Sequence, residues 1–216
     1  MSKQQLTVPF LHTDNAAPDI GDIASQLSHA PRHHLHFAPW QNAYPYKPSV
    51  TFALSYNQEG LYLQYDVKES CVQAAQGKIN APVYQDSCVE FFISFDEGAG
   101  YYNFECNCIG TVLAEFGKGK HDREILPESS LAKIRYQSLI RKEKAEELVN
   151  WQLTVAIPYE VFLHHQLAGL QGHQCKANFY KCGDLLPEPH FLSWSNIESP
   201  EPNFHLPQFF GTLLFE

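Results

Sequence analysis

The 216-residue chain sets 24 acidic side chains against 15 Lys and Arg, for a formal net charge of −9. It therefore has no surplus of cations to neutralise phosphates or an anionic bilayer, which excludes nucleic acid and membrane surfaces as partners. A composition that is 44% hydrophobic and 13% aromatic with a single Met fits a folded, strand-rich protein, and the length suits one domain over residues 1–216.

At the N-terminus, Met1-Ser2-Lys3-Gln4-Gln5-Leu6 lacks the apolar stretch of a signal peptide, and no apolar run is long enough to span a bilayer. The sequence as it stands predicts a cytoplasmic protein, or a periplasmic or secreted one if a leader has been removed. The six cysteines are scattered rather than framed, which predicts reduced thiols. Asp22 to Leu27 reads as one or two helical turns.

Strand-period runs then dominate. Val50, Phe52, Leu54 and Tyr56 alternate with smaller or polar residues, and Leu61, Leu63, Tyr65 and Val67 do the same after Asn57-Gln58-Glu59-Gly60, so the two runs predict a hairpin. Val89, Phe91, Ile93 and Phe95 form the apolar face of a third run. After Asp96-Glu97-Gly98-Ala99-Gly100, Tyr102, Phe104, Cys106 and Cys108 form that of a fourth. Thr111 to Phe116 continues the sheet past a turn at Gly110, and the polar stretch from Gly117 to Ser130 reads as a long loop.

Ile134 to Ile140 and Trp151 to Ile157 are the next strands, joined by the charge run Arg141 to Glu147, which reads as a solvated hairpin connection or a helical turn. Pro158 opens a short helix, as a residue whose missing N–H does no harm in a first turn. Cys175 to Cys182, Phe191 to Ser195 and Phe210 to Phe215 supply the last strands. Many short strands with little helix predict an all-β sandwich of the immunoglobulin-like kind, with one or two short helices.

The hairpin from Cys88 to Cys108 carries the clearest functional pattern. Matching its apolar faces puts Phe95 opposite Tyr102 and Phe91 opposite Cys106, with Glu90 opposite Asn107 and diagonal to Glu105. The other face then collects Glu90, Ser94, Asn103, Glu105 and Asn107. Carboxylates and amides in a row suit a ligand with many hydroxyls, each donating to a carboxylate and accepting from an amide. The same row also reads as an ordinary solvent-facing sheet surface. Diagonal neighbours lie roughly 7–8 Å apart, which falls within the separation inverting glycosidases use. A sugar-hydrolysing enzyme built on Glu90 and Glu105 is therefore the alternative reading.

Other chemistries lack their patterns. Cys106 and Cys108 alternate with Phe104 as small buried hydrophobes, and His33-His34-Leu35-His36 has no zinc-site spacing, so no metal site is predicted. There is no phosphate-binding glycine loop and no nucleophile elbow. Trp151 and Trp194 read as core residues.

Three segments taken together resemble the family 9 carbohydrate-binding modules and the wider DOMON-like sandwiches. They are Tyr84-Gln85-Asp86-Ser87-Cys88-Val89-Glu90-Phe91-Phe92-Ile93, then Tyr102-Asn103-Phe104-Glu105-Cys106-Asn107, then Trp194-Ser195 with Asn203-Phe204-His205-Leu206-Pro207-Gln208-Phe209-Phe210-Gly211. Ile157-Pro158-Tyr159 fits as well. The resemblance implies a bacterial, non-catalytic domain of carbohydrate catabolism that holds a mono- or oligosaccharide between two rings. Tyr84 and Phe204 occupy the ring positions and Glu90 that of a hydroxyl-binding acid, with Asn103, Glu105, Asn107 and Glu201 beside them.

The resemblance implies no cofactor beyond the calcium such modules can hold. This chain departs from the family in having Tyr84 and Phe204 in place of two tryptophans. It also has Glu105 and Glu201 where an arginine and an asparagine can stand. The more acidic site disfavours uronic acids and favours neutral or amino sugars. A haem-holding sandwich would need a His pair, because the single Met is Met1. A purely protein-binding sandwich is the remaining alternative.

Overall fold

The computed structural model describes residues 4–13, 18–97, 99–142 and 147–216. Gly98, residues 1–3 and 14–17, and the middle of the charge run, 143–146, lie outside the described residues. In chain order the elements are β1 (Gln5–Val8), α1 (Ile20–Leu27), β2 (His33–His34), β3 (Ser49–Tyr56) and β4 (Gly60–Glu69). They continue with β5 (Cys88–Ser94), β6 (Tyr101–Asn107), β7 (Val112–Gly117), β8 (Glu124–Ile125) and the single-turn α2 (Glu128–Leu131). The last are β9 (Arg135–Arg141), β10 (Val149–Pro158), β11 (Gln174–Cys182), β12 (Phe191–Ser193) and β13 (Gly211–Phe215).

Two sheets result, and the protein is an all-β sandwich. One sheet runs β1-β13-β11-β5-β6-β7-β8 with β12 also on β11, and the other runs β2-β3-β4-β10-β9. The predicted hairpin β3–β4 forms around residues 57–59, and β9 pairs antiparallel with β10. The apolar faces read from the sequence meet between the sheets. Phe52 of one sheet stacks on Phe179 of the other at 3.9 Å, Phe91 stacks on Phe179 at 5.0 Å, and Trp194 closes edge-on at 5.5 Å.

Trp151 and Trp194 are both buried in this core, and the six cysteines are free thiols. Gly110 makes the β6–β7 turn at φ 88°, and a Cβ there would also meet the ring of Tyr136 on β9. Asp19 caps α1 by accepting from the Gly21 N–H at 2.8 Å, and Ile23 and Leu27 seat the helix against the outer face of the five-stranded sheet. No helix among the described residues is long and apolar enough to cross a membrane.

The structure corrects two expectations. Glu90 lies directly opposite Glu105, and Phe91 opposite Phe104, so the β5–β6 register is slipped by two residues from the predicted one. Hydrophobic alternation fixes which face a side chain takes but not a slip of two. The slip follows from Phe95, which leaves the ladder to pack edge-on against Phe162 at 5.2 Å, while the Ser94 hydroxyl donates to the Gly100 carbonyl at 2.5 Å. The stretch from Gly117 to Ser130 is not wholly loop, since β8 and the start of α2 fall within it.

One charge breaks the apolar face of β11. Lys181 follows Cys175, Ala177 and Phe179 inward and is fully buried. Its ammonium lies 2.9 Å from a Glu69 carboxylate oxygen and donates to His190 Nε2 at 2.8 Å and the Cys182 carbonyl at 2.8 Å. Trp151 Nε1 donates to the other Glu69 oxygen at 2.6 Å. His190 Nδ1 meets the Glu188 carbonyl at 2.8 Å, so the ring is neutral with its proton on Nδ1. Burial and the adjacent Lys181 charge hold its pKa down at about 3.

Candidate functional site

Every residue of β5 and β6 is buried, on both faces. The face carrying Glu90, Asn103, Glu105 and Asn107 is therefore not an open sheet surface. Loop aromatics cover it: Phe204 stacks on Tyr180 at 4.1 Å with rings 7° from parallel, and Phe210 packs edge-on against Tyr101 at 5.3 Å. Trp40 joins this second apolar layer, its Nε1 donating to the Ser199 carbonyl at 2.8 Å.

One gap remains in the cover, a cleft of about 100 Å³ lined by Tyr84, Glu90, Glu105, Lys120, Cys182, Asp184, Phe191, Pro202, Asn203, Phe204 and His205. Each wall has a local cause. Tyr84 sits on a 3-10 turn, Val83–Gln85, and its carbonyl accepts from the Asp184 N–H at 3.0 Å, so Tyr84 and Asp184 are pinned together. Phe204 is fixed by its stack on Tyr180, whose hydroxyl donates to the Phe204 carbonyl at 3.1 Å. The two rings are unequal, since Tyr84 is 37% exposed and Phe204 only 8%. Tyr84 offers an open ring face, whereas Phe204 offers little more than an edge.

Four of the seven residues singled out from the sequence, Tyr84, Glu90, Glu105 and Phe204, come together here. The other three do not line the cleft. Asn107 is committed to the turn beside it: its amide donates to the Gln76 carbonyl at 2.8 Å and to Asp86 at 3.0 Å, and its oxygen accepts from the Thr111 N–H at 3.0 Å. Asn103 stands behind Glu105, donating to its Oε1 at 2.9 Å while accepting from Arg123 at 2.7 Å. Glu201 is exposed.

Lys120, Asp184, Asn203 and His205 were not singled out. They arrive on loops with no periodic pattern, although Asp184 continues the outward parity of Tyr180 and Cys182.

The floor is electrostatically unusual. Burial, and then the facing Glu105 charge, push the Glu90 carboxyl well above the usual range. Burial also pushes Glu105 up to about 7; the Asn103 hydrogen bond opposes this, while Glu115 and Asp184 add to it. Asp184 is raised to about 6, again by burial. Burial, then Arg123, hold His205 neutral, with a pKa near 3. Three carboxyl groups thus converge on one small space with Lys120 as the cation on its rim. They can accept hydrogen bonds from a ligand, and when protonated they can donate one.

A larger cleft of about 420 Å³ lies on the five-stranded sheet, lined by Ser49, Thr51, Asp66, Lys68, Arg141 and others. Its one ring, Trp151, is buried, and Asp66 is held by Arg32 at 2.8 Å. The smaller cleft has the richer chemistry.

A calcium site does not fit the side chains brought together here. Among the described residues, the one group of three His, Cys, Asp or Glu ligand atoms close enough to share an ion is Cys88, Glu90 and Cys182. Calcium takes oxygens, and two of these three donors are sulfur. Asp86, a second buried carboxylate, is filled by N–H donors from Ala75, Gln76 and Asn107.

The model of carbohydrate-binding family 9 matches residues 22–215. The chain belongs to carbohydrate-binding family 9. A crystal structure of a proposed carbohydrate-binding protein from Bacteroides uniformis is 38% identical and superposes with a TM-score of 0.92 over 100% of both chains. A family 9 carbohydrate-binding module from Caldicellulosiruptor kristjanssonii, solved with cellotriose, shares the fold at 12% identity and a TM-score of 0.62, over 99% of this chain and 94% of that one. The same source gives a glucose complex at 11% identity and a TM-score of 0.59, over 99% and 96%. No functionally curated protein matches this family 9 chain.

Proposed function

We propose that this cleft binds the end of a mono- or oligosaccharide without transforming it. The observation that carries the reading is convergence. Two aromatic residues 120 positions apart, Tyr84 and Phe204, and two facing carboxyls, Glu90 and Glu105, line one small cleft in a chain of a sugar-binding family.

A pyranose ring offers apolar C–H faces to Tyr84 and hydroxyl edges to the floor. Glu90, Glu105 and Asp184 accept from those hydroxyls, and Asn203 and Lys120 donate to them. About 100 Å³ is below the roughly 300 Å³ at which ordinary small-molecule pockets begin. The cleft therefore takes one terminal ring, with any further sugar units lying outside. Structures of relatives bound to glucose and cellotriose support saccharide as the ligand class.

The test is a titration of glucose, cellotriose, glucosamine and glucuronic acid, followed by calorimetry or NMR. Shifts confined to the Tyr84, Asp184 and Phe204 segments are expected for glucose or glucosamine, with glucuronic acid weakest because its carboxylate meets three others. Silence from every sugar at millimolar concentration overturns the reading. Hydrolysis of an aryl glycoside that disappears in Glu90→Gln and Glu105→Gln would replace it with the enzyme alternative.

A further inference from the structure

Beneath the cleft, Cys88 of β5 and Cys182 of β11 occupy directly opposed positions on neighbouring strands. Both are fully or almost fully buried, and with one Glu90 carboxylate oxygen their sulfurs form a set of three ligand atoms, all within 4.8 Å of one another. The links present among them are soft: the Cys182 thiol donates to Glu90 Oε1 at 3.0 Å, the Cys88 and Cys182 side chains are hydrogen-bonded to each other, and Cys88 has a 3.7 Å contact with the Val89 carbonyl. Across the strand pair from Glu90 stands Glu105, 5% exposed, and its Oε2 is buried without a hydrogen-bond partner. A buried carboxylate oxygen left unpaired is costly and calls for an explanation.

We propose that Cys88, Cys182 and Glu90 form a binding site for a thiophilic divalent cation of the zinc class, with Glu105 flanking it and the fourth position open towards the cleft. The donor set selects the metal. Two thiolates with a carboxylate suit tetrahedral zinc and are poor ligands for calcium and magnesium, which take oxygen. The site has an entrance, since Glu90 and Cys182 line the cleft from which an ion would arrive.

Binding exchanges protons for metal. Each thiol releases its proton to solvent as its sulfur–metal bond forms, and a carboxyl that carries a proton releases it too. The divalent charge then compensates the facing carboxylates directly, adding to the more distant Lys181 and Arg123. The remaining thiols, Cys71, Cys106, Cys108 and Cys175, lie outside the set.

The site does not depend on sugar binding, and the experiment keeps the two apart. The full chain is stripped with a chelator under reducing conditions, then titrated with Zn²⁺ against a chromophoric chelator, and separately with Co²⁺ and Ca²⁺. One equivalent of Zn²⁺ is expected, with a thiolate-to-cobalt charge-transfer band for Co²⁺ and no uptake of Ca²⁺. Cys182→Ser and Glu90→Gln should each lose the band or weaken uptake at least tenfold. Cys71→Ser should behave as the parent, and circular dichroism of the stripped proteins shows whether each variant folds.

No uptake by the folded parent protein, or uptake unchanged in both ligand variants, overturns the site. A stripped protein that binds sugar but no Zn²⁺ sinks this inference alone. One that binds Zn²⁺ but no sugar upholds it and sinks the sugar reading.

Discussion

Two buried polar clusters lie on opposite faces of β11, and they are built on opposite rules. Inside the sandwich, Lys181, Glu69, His190 and Trp151 form a closed network in which the ammonium donates to His190 and the Cys182 carbonyl and faces Glu69 Oε2, which has no hydrogen bond, as an ion pair at 2.9 Å. Outside, beneath the cleft, Glu90, Glu105 and Asp184 place like charges together and leave Glu105 Oε2 without a partner. A buried charge is tolerated when paired and satisfied. Where it is neither, something other than stability accounts for the residues. The first cluster reads as structure and the second as a site, and the second alone opens onto a cleft, with Asp184 only partly buried.

The largest expected effect breaks the closed network. Lys181→Met leaves the Glu69 carboxylate buried and unpaired and should cost about 3–5 kcal/mol of stability, measured by urea unfolding. Lys181→Met with Glu69→Gln should recover part of that loss, because Gln keeps an acceptor for Trp151. Glu105→Gln, by contrast, removes a like charge while keeping an oxygen for Asn103, and should leave stability within about 1 kcal/mol or raise it. If Glu105→Gln costs as much as Lys181→Met, the two clusters are not different in kind.

The next effect sharpens the comparison through pH. His190 is held neutral in the folded protein down to about 3, while in the unfolded chain it titrates near its ordinary value of 6.5. Its contribution to stability is therefore complete above pH 6.5 and is lost as pH falls from 6.5 towards 3, because the unfolded state binds the proton first. The limiting slope is about 1.4 kcal/mol per pH unit. His205, also lowered to about 3, acts in the same sense. The raised carboxyls act in the opposite sense over part of this window, so the readout is a difference. His190→Gln keeps an acceptor for Lys181 and should lose less stability than the parent between pH 6.5 and 4. Parallel profiles would mean that the ring is not neutral and buried as described.

Much of the fold was legible because period-two alternation is a strong signal where one strand face is apolar. Val50 to Tyr56, Leu61 to Val67 and Val89 to Ile93 all point where their pattern says. β1 and β2 carry four and two residues, too few for a pattern, and they form only because β13 and β3 offer edges to pair with.

The site was half legible. Parity places Glu90 and Glu105 on one face, but their direct opposition depends on where Phe95 leaves the ladder. Burial of that face could not be read at all, since its cover comes from irregular segments carrying Trp40, Phe204 and Phe210. Lys181 breaks the pattern of its strand visibly, yet its partner Glu69 lies 112 residues earlier, and nothing in either segment announces the other.

The smallest expected change in stability comes from the most exposed wall of the cleft. Tyr84 is 37% exposed and sits on a turn pinned by backbone hydrogen bonds, so Tyr84→Ala should shift stability by no more than about 0.5 kcal/mol. Phe204→Ala removes a buried ring stacked on Tyr180 and should cost about 3 kcal/mol or more. Under the proposed function Tyr84→Ala should nonetheless weaken sugar binding about tenfold, equivalent to about 1.4 kcal/mol, while Tyr84→Trp should restore or strengthen it by enlarging the open ring face. Calorimetric titration of the three proteins separates the roles. If Tyr84→Ala binds as the parent does, the exposed ring takes no part in recognition. Recognition would then belong to the carboxyl floor alone, whose like charges the sandwich interior does without.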